Sequence, residues 1–297
     1  MHRFAGARPD VDLLSPFIEF AFMRRALVGC IAVGLGAAPV GVFLMLRRMS
    51  LTGDAMAHAI LPGAAAGYLL AGLSLSAMTI GGLVAGILVA LAAGAVSRTT
   101  ILREDASLAA FYLISLAIGV TMISAGGSNL DLMHILFGSV LALDDDALIL
   151  LCAIATFTLF ALAILYRPLV MECLDPHFLR GVSRLSFVAH FGFLALAVVN
   201  LVGAFHALGT LMAVGMMVLP AAAARFWAAS IGALAALSVT LALAASVVGL
   251  LLSFHFNQPS GPAIILVLGA FYVLSLLGGP NGSLAARLWP RSRHLEA

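Results

Sequence analysis

Residues 47–63, RRMSLTGDAMAHAILPG, form a polar island in an otherwise apolar chain. Arg47 and Arg48 close one long apolar run, and Pro62-Gly63 leads into another. Between them, Asp54 and His58 stand four residues apart. On a helix that spacing stacks both side chains on one face, close enough to share a ligand. A carboxylate and an imidazole together suit a borderline or hard divalent cation such as zinc or manganese. Ionisable groups held between membrane-length segments are expensive to keep there, so they read as part of a substrate or ion path. The spacing is equally compatible with an Asp N-cap at a helix start and a histidine bonded to a nearby carbonyl. It does not choose between the two.

The surroundings place the island in a bilayer. The chain is 63% hydrophobic and only 9% charged, with a mean hydropathy of +1.15, whereas soluble domains carry about 25% charged residues. The net charge of +2 points to no nucleic acid, because the arginines lie between apolar segments rather than in one patch. Cys30, Cys152 and Cys173 are scattered and match no zinc or redox spacing. All fifteen basic residues are arginine. A P-loop needs a lysine on the phosphates, so this chain is not itself a P-loop ATPase. No nucleophile constellation is present either, and the expectation is a non-enzyme.

Apolar runs separated by polar breaks predict an all-α polytopic membrane protein of about 8–9 transmembrane helices. Residues 1–25 form an N-terminal segment whose SPFIEFAFMRR portion resembles a short interfacial helix. Residues 26–283 form the transmembrane domain, and 284–297 an arginine-rich tail. Within the domain the expected spans are 26–46, 59–73, 76–96, 108–125, 147–166, two between 188 and 226 that break near 203–209, 228–253 and 263–279. Each is near the ~20 residues that cross the hydrocarbon. GAAAG at 63–67 and GLVAG at 82–86 have the small-residue spacing that lets helices approach closely. Residues 133–143 are too short to cross and predict a re-entrant half helix. Asp54 is expected to be the only carboxylate near a span interior.

Arginine placement gives the orientation. With loops 97–107 and 167–187 and the C-terminus on the cytoplasmic side, eleven of the fifteen arginines fall on or near it. The N-terminus is then outside. The external side receives Asp131 and the triplet Asp144, Asp145 and Asp146.

Four stretches, in order, resemble the integral-membrane permease subunits of the zinc and manganese ABC importers. They are RRMSLTGDAMAHAILPG, LFGSVLAL (136–143), LDPHFLRGV (174–182), and the pair GTLMAVGMMVLPAAAAR (209–225) and QPSGPAIILV (258–267). The likeness covers about residues 17–283. It implies a type II ABC importer permease in the bacterial inner membrane that acts as a homodimer. Two cytosolic P-loop ATPase subunits would sit beneath it, and an extracytoplasmic metal-binding protein would deliver the ion. It implies no permanently bound cofactor, the transported metal being cargo, and no nucleic-acid partner.

On this resemblance the metal residues are Asp54 and His58. The cytoplasmic coupling loop, about 167–187, would dock the ATPase through Asp175, Pro176, His177, Phe178, Arg180 and Gly181. The family usually carries an acidic residue after the first Asp of that loop, and here Pro176 takes its place. Asp131 and His134 are candidates for the outer mouth. Met212 and Met216 have the spacing of soft ligands on a path, or of core residues. His206 and His255 are read as helix-end or solvent-facing histidines. The alternative class is a secondary transporter or channel driven by an ion gradient, which internal repeats and carboxylates within spans would favour.

Overall fold

The computed structural model describes residues 15–49, 51–72, 74–101, 104–125, 140–175 and 185–284. Among these the regular structure is entirely helical. The helices are α1 (Ser15–Glu19), α2 (Ala21–Leu46), α3 (Thr52–Ala59), α4 (Leu61–Ala71), α5 (Leu75–Thr99) and α6 (Glu104–Ala125). After one 3-10 turn at Val140–Ala142 come α7 (Asp145–Leu174), α8 (Leu185–Leu208), α9 (Thr210–Ala224), α10 (Ile231–Phe256) and α11 (Ser260–Gly278). Hydrocarbon offers backbone groups no water, and helices satisfy each N–H and C=O internally.

Seven of these helices are long and apolar enough to cross a membrane: α2, α5, α6, α7, α8, α10 and α11. Two further helical stretches are shorter. Only Ile60 separates α3 from α4, and its own backbone is helical, so the pair rises nearly continuously for about 30 Å. The fifteen residues of α9 cover about 22 Å. Among the described residues these nine stretches run alternately between two faces of the bundle. The ends of α2, α5 and α7 meet the start of α8 on the face that carries Arg47 and Arg98. On the opposite face Arg25 pairs with Asp145 at 3.0 Å.

α2 is the hub. Of its most apolar stretch 78% is buried, against 22% for α7, and it packs on α7, α8, α9 and α10. Small residues allow this: a Cβ on Gly41 would lie 2.7 Å from the Met217 carbonyl carbon of α9. α2 ends in a Schellman turn, in which Met49 N–H donates to Leu44 O at 2.8 Å and Arg48 N–H to Met45 O at 3.0 Å. Arg48 takes the left-handed position there, φ 59°. GAAAG does pack closely, with Gly63 against Gly81 and Gly67 against Ala77 on α5. Gly82 and Gly86 of GLVAG admit Ile60 and Val198.

Several boundaries differ from the expected ones. α2 begins at Ala21 rather than 26, because Arg24 and Arg25 sit at a helix end and reach outward, Arg24 donating to Ile18 O at 2.7 Å. α7 does not stop at Arg167-Pro168 but runs to Leu174. Leu169 is fully buried there and Glu172 is 2% exposed, so that turn is a packed helix end rather than solvated loop. α8 has already begun at Leu185. The half helix expected at 133–143 lies largely outside the described residues; its end is the 3-10 turn, beneath which Leu143 packs at Gly29. Two of the three aspartates at 144–146 are structurally engaged. Asp144 caps α7 by accepting from Ala147 N–H at 2.8 Å, and Asp145 holds Arg25.

Candidate metal site

Asp54 and His58 both belong to α3. The N-cap of α3 is Leu51, whose side chain offers no oxygen, and Asp54 sits inside the first turn. The carboxylate is therefore not the cap. Its position near the helix N-terminus still suits a negative charge. His58, one turn on, brings Nε2 to 3.8 Å from Asp54 Oδ1. Two metal–ligand bonds of ~2.1 Å span up to ~4.2 Å, so one cation fits between these atoms without moving the helix.

The pair opens into a cavity of about 430 Å3. α3 supplies one wall; α9 supplies the other with Thr210, Leu211, Val214 and Val218, and Ile265 of α11 completes it. Apart from Thr210 the lining opposite the pair is apolar, and among the described lining residues Asp54 is the one carboxylate. α6 braces α3 from behind. Ser115 Oγ donates to Ala59 O at 2.9 Å, and the Tyr112 ring lies 6.2 Å from the His58 imidazole.

Both side chains stay partly open, with exposures of 66% for Asp54 and 32% for His58. Among the described residues no group of three or more His, Cys, Asp and Glu side chains could hold a metal. Among the described residues the candidate site therefore consists of two side chains, Asp54 and His58.

The other sequence candidates fare differently. Met212 and Met216 are fully buried and turn away from the cavity into the core, Met216 Cε lying 3.5 Å from where a Cβ on Gly34 would be. His255 is exposed at the end of α10, its Nδ1 2.9 Å from Leu251 O. Of the docking residues only Asp175 is described; it ends α7, with its N–H bonded to Met171 O at 3.0 Å. Pro176, His177, Phe178, Arg180 and Gly181 lie outside the described residues, as do Asp131 and His134 and the side chain of His206.

One feature was not anticipated from the sequence. Glu172, expected in a solvated loop, is buried in α7 between Arg98 of α5 and Ser186 and His190 of α8. Asp54 is therefore not the only carboxylate near a span interior. A signal was available in the apolar residues Leu169 and Val170 that follow Pro168, which continue the helical run.

Comparison with known proteins agrees with this architecture. The chain is 32% identical over 263 residues to "Manganese import system permease protein ScaB" of Streptococcus parasanguinis, covering 89% of this chain and 92% of the relative. It is 30% identical to a "Probable iron transport system membrane protein" of Haemophilus influenzae, covering 89% and 96%. Its fold superposes on a chain of "PsaBC from Streptococcus pneumoniae in complex with Fab" with a TM-score of 0.80 and 31% identity, over 93% of this chain and 99% of that one. A sequence model described as the ABC 3 transport family matches residues 19–279, and on that match the chain belongs to this family of membrane permeases.

Proposed function

We propose that this chain is the membrane permease of an importer for a divalent transition metal, with Asp54 and His58 as a transient cation site on its path. The observation that carries the reading is the 3.8 Å separation of a carboxylate oxygen and an imidazole nitrogen at the mouth of an otherwise apolar cavity. Manganese and iron both appear in the names of relatives, and hard carboxylate with borderline imidazole suits manganese, iron and zinc alike. Manganese is the first ion to test.

Membership in an ABC transport family favours ATP-driven over gradient-driven uptake. The energy would come from separate cytosolic ATPase subunits, the segment 175–184 between α7 and α8 being the docking element, and an extracytoplasmic binding protein would supply the ion. The chain itself would catalyse no reaction. Two copies related by a two-fold axis would bring two Asp54/His58 pairs together and complete the coordination shell. Its place is the bacterial inner membrane, with the Arg47/Arg98 face cytoplasmic.

The test is uptake of radioactive manganese by the permease–ATPase complex in vesicles. Asp54→Asn and His58→Gln keep size and hydrogen bonding but remove the carboxylate charge and the imidazole. Both are expected to lose uptake while the protein remains folded. Wild-type rates in both variants would make the pair structural and remove the site.

A further inference from the structure

Toward the end of the bundle that carries Arg47 and Arg98 lies an apolar groove separate from the Asp54/His58 cavity. α7 and α10 both pack on α2 but hardly meet each other, and between them is a space of about 630 Å3. Pro39 and Phe43 of α2 line it, with Leu159 and Ala163 of α7 and Ile231 and Val239 of α10. One end of the groove, at Pro39, Leu159 and Val239, is wholly apolar. The other lies at the start of α10, whose N-cap is Ser230. From Leu159 to Arg167 α7 rises ~12 Å, less than half of the ~30 Å hydrocarbon. The groove therefore fits within one leaflet.

Its boundary end has a different chemistry. Leu159, Ala163 and Arg167 are spaced four apart, so they stack along one stripe of α7 and the arginine ends that stripe. Arg167 is exposed. The engaged carboxylates of α7 point elsewhere: Asp145 holds Arg25 at the opposite end, and Glu172 faces Arg98 and Ser186. Beside Arg167, Tyr166 lines the groove and stands edge-on to Phe43 at 6.2 Å, an amphipathic ring of the kind that sits at headgroup level. Arg48 and Arg225 are exposed just past the ends of α2 and α9. Val42, Ala221, Ala224 and Leu234 pack together just inside them, so both arginines add positive potential at this end.

Any lipid tail covers an apolar groove, and apolarity alone selects nothing. A groove that ends in a guanidinium and a phenol selects a tail that carries a negative head. The guanidinium fork matches two phosphate oxygens, and basic pockets between spans on the cytoplasmic side hold anionic headgroups. We infer that the groove between α2, α7 and α10 binds one anionic phospholipid of the inner leaflet, with its tail along Leu159 and Ala163 and its phosphate on Arg167. From the reading above this takes only the orientation, with the Arg47/Arg98 face cytoplasmic. A lipid seated between α7 and α10 braces both against the hub helix α2, so binding also stabilises the fold.

The experiment is native mass spectrometry of the full-length chain in mild detergent, titrated with dioleoylphosphatidylglycerol or dioleoylphosphatidylcholine, with thermal unfolding measured in parallel. The wild type is expected to retain one phosphatidylglycerol per chain, to bind phosphatidylcholine about tenfold more weakly, and to unfold at a higher temperature with the anionic lipid. Arg167→Gln should weaken phosphatidylglycerol binding about tenfold, the effect of one charge-assisted hydrogen bond, and remove most of the preference over phosphatidylcholine. Arg167→Lys keeps the charge and should recover part of the affinity, which separates headgroup contact from a folding defect. Ala163→Trp fills the groove from an exposed position and should abolish retention. Ala153→Trp, exposed on the same helix outside the groove, should not.

Equal retention of the two lipids overturns the inference. Retention that survives both Arg167→Gln and Ala163→Trp, or that Ala153→Trp lowers as much, overturns it as well. A dimer of chains that Ala163→Trp dissociates, with no lipid retained, assigns the groove to a second copy and has the same effect. The measurement needs no transport. A complex that moves no metal in the uptake assay therefore sinks the permease reading alone, and lost lipid selectivity sinks this inference alone.

Discussion

Gly41→Ala tests whether the contact between α2 and α9 holds the cavity in shape. The added Cβ would lie 2.7 Å from the Met217 carbonyl carbon and 3.3 Å from Met217 Cγ, and closest of all to the Met217 carbonyl oxygen. Ordinary carbon contacts begin near 3.4 Å, so the two backbones must part by about 0.7 Å or more. Neither partner is a flexible tip: both are helix backbone, and Met217 is fully buried. Overpacking of this kind costs about 1–3 kcal/mol, or roughly 2–4 °C in unfolding temperature for each kcal/mol.

The cost is not confined to stability. α9 carries Thr210, Val214 and Val218 on the wall facing Asp54 and His58, so parting α9 from α2 moves that wall relative to α3. Manganese uptake per folded molecule should therefore fall as well. Gly232→Ala is the control, since nothing lies within 4 Å of its Cβ position; it should leave both quantities near wild type. The assay pairs thermal unfolding in detergent with vesicle uptake. If Gly41→Ala unfolds at the wild-type temperature and transports normally, close packing at Gly41 is not what positions α9.

Two further expectations concern the scaffold. Asn200 Nδ2 donates to Thr158 Oγ1 at 2.8 Å, joining α8 to α7 inside the bundle; a double-mutant cycle with Asn200→Ala and Thr158→Val should give a coupling of about 0.6 kcal/mol and no more than ~1.7, and zero coupling would mean the bond is absent in lipid. Single cysteines at Asp145 and at Thr100, each in a background without Cys30, Cys152 and Cys173, should be labelled by an impermeant thiol reagent from opposite sides, outside for Asp145; labelling from one side would break the alternation of passes.

How far the fold could be read from sequence shows in particular segments. Hydropathy located the passes because an apolar chain in lipid has one general way to satisfy its backbone, which is helix. The break between α8 and α9 falls at Gly209, at the edge of the 203–209 interval where a glycine pair interrupts the apolar run. The i, i+4 relation of Asp54 and His58 is likewise a property of the local helix, and it holds at 3.8 Å. Polarity misled at the end of α7, where Arg167, Pro168 and Glu172 read as loop. Their partners lie on α5 and α8, and a charge compensated by distant residues looks, in one dimension, like a charge in water.

The sequence by itself determined the class of this protein: a helical membrane bundle with one polar helix carrying a carboxylate and an imidazole one turn apart. Only the tertiary structure decided what each helix faces. In a soluble protein the apolar stripe of a helix marks its buried side, but lipid is as apolar as a protein core. The helices here are apolar all round, and periodicity cannot separate lipid-facing from protein-facing positions. That Met212 and Met216 turn into the core, that α9 rather than α10 walls the site, and that Glu172 is buried among Arg98, Ser186 and His190 all depend on which helices become neighbours. Neighbours are chosen by close approach of small residues such as Gly41, Gly63 and Gly81. Glycines are frequent in this chain, and which of them meet is settled only when the helices pack.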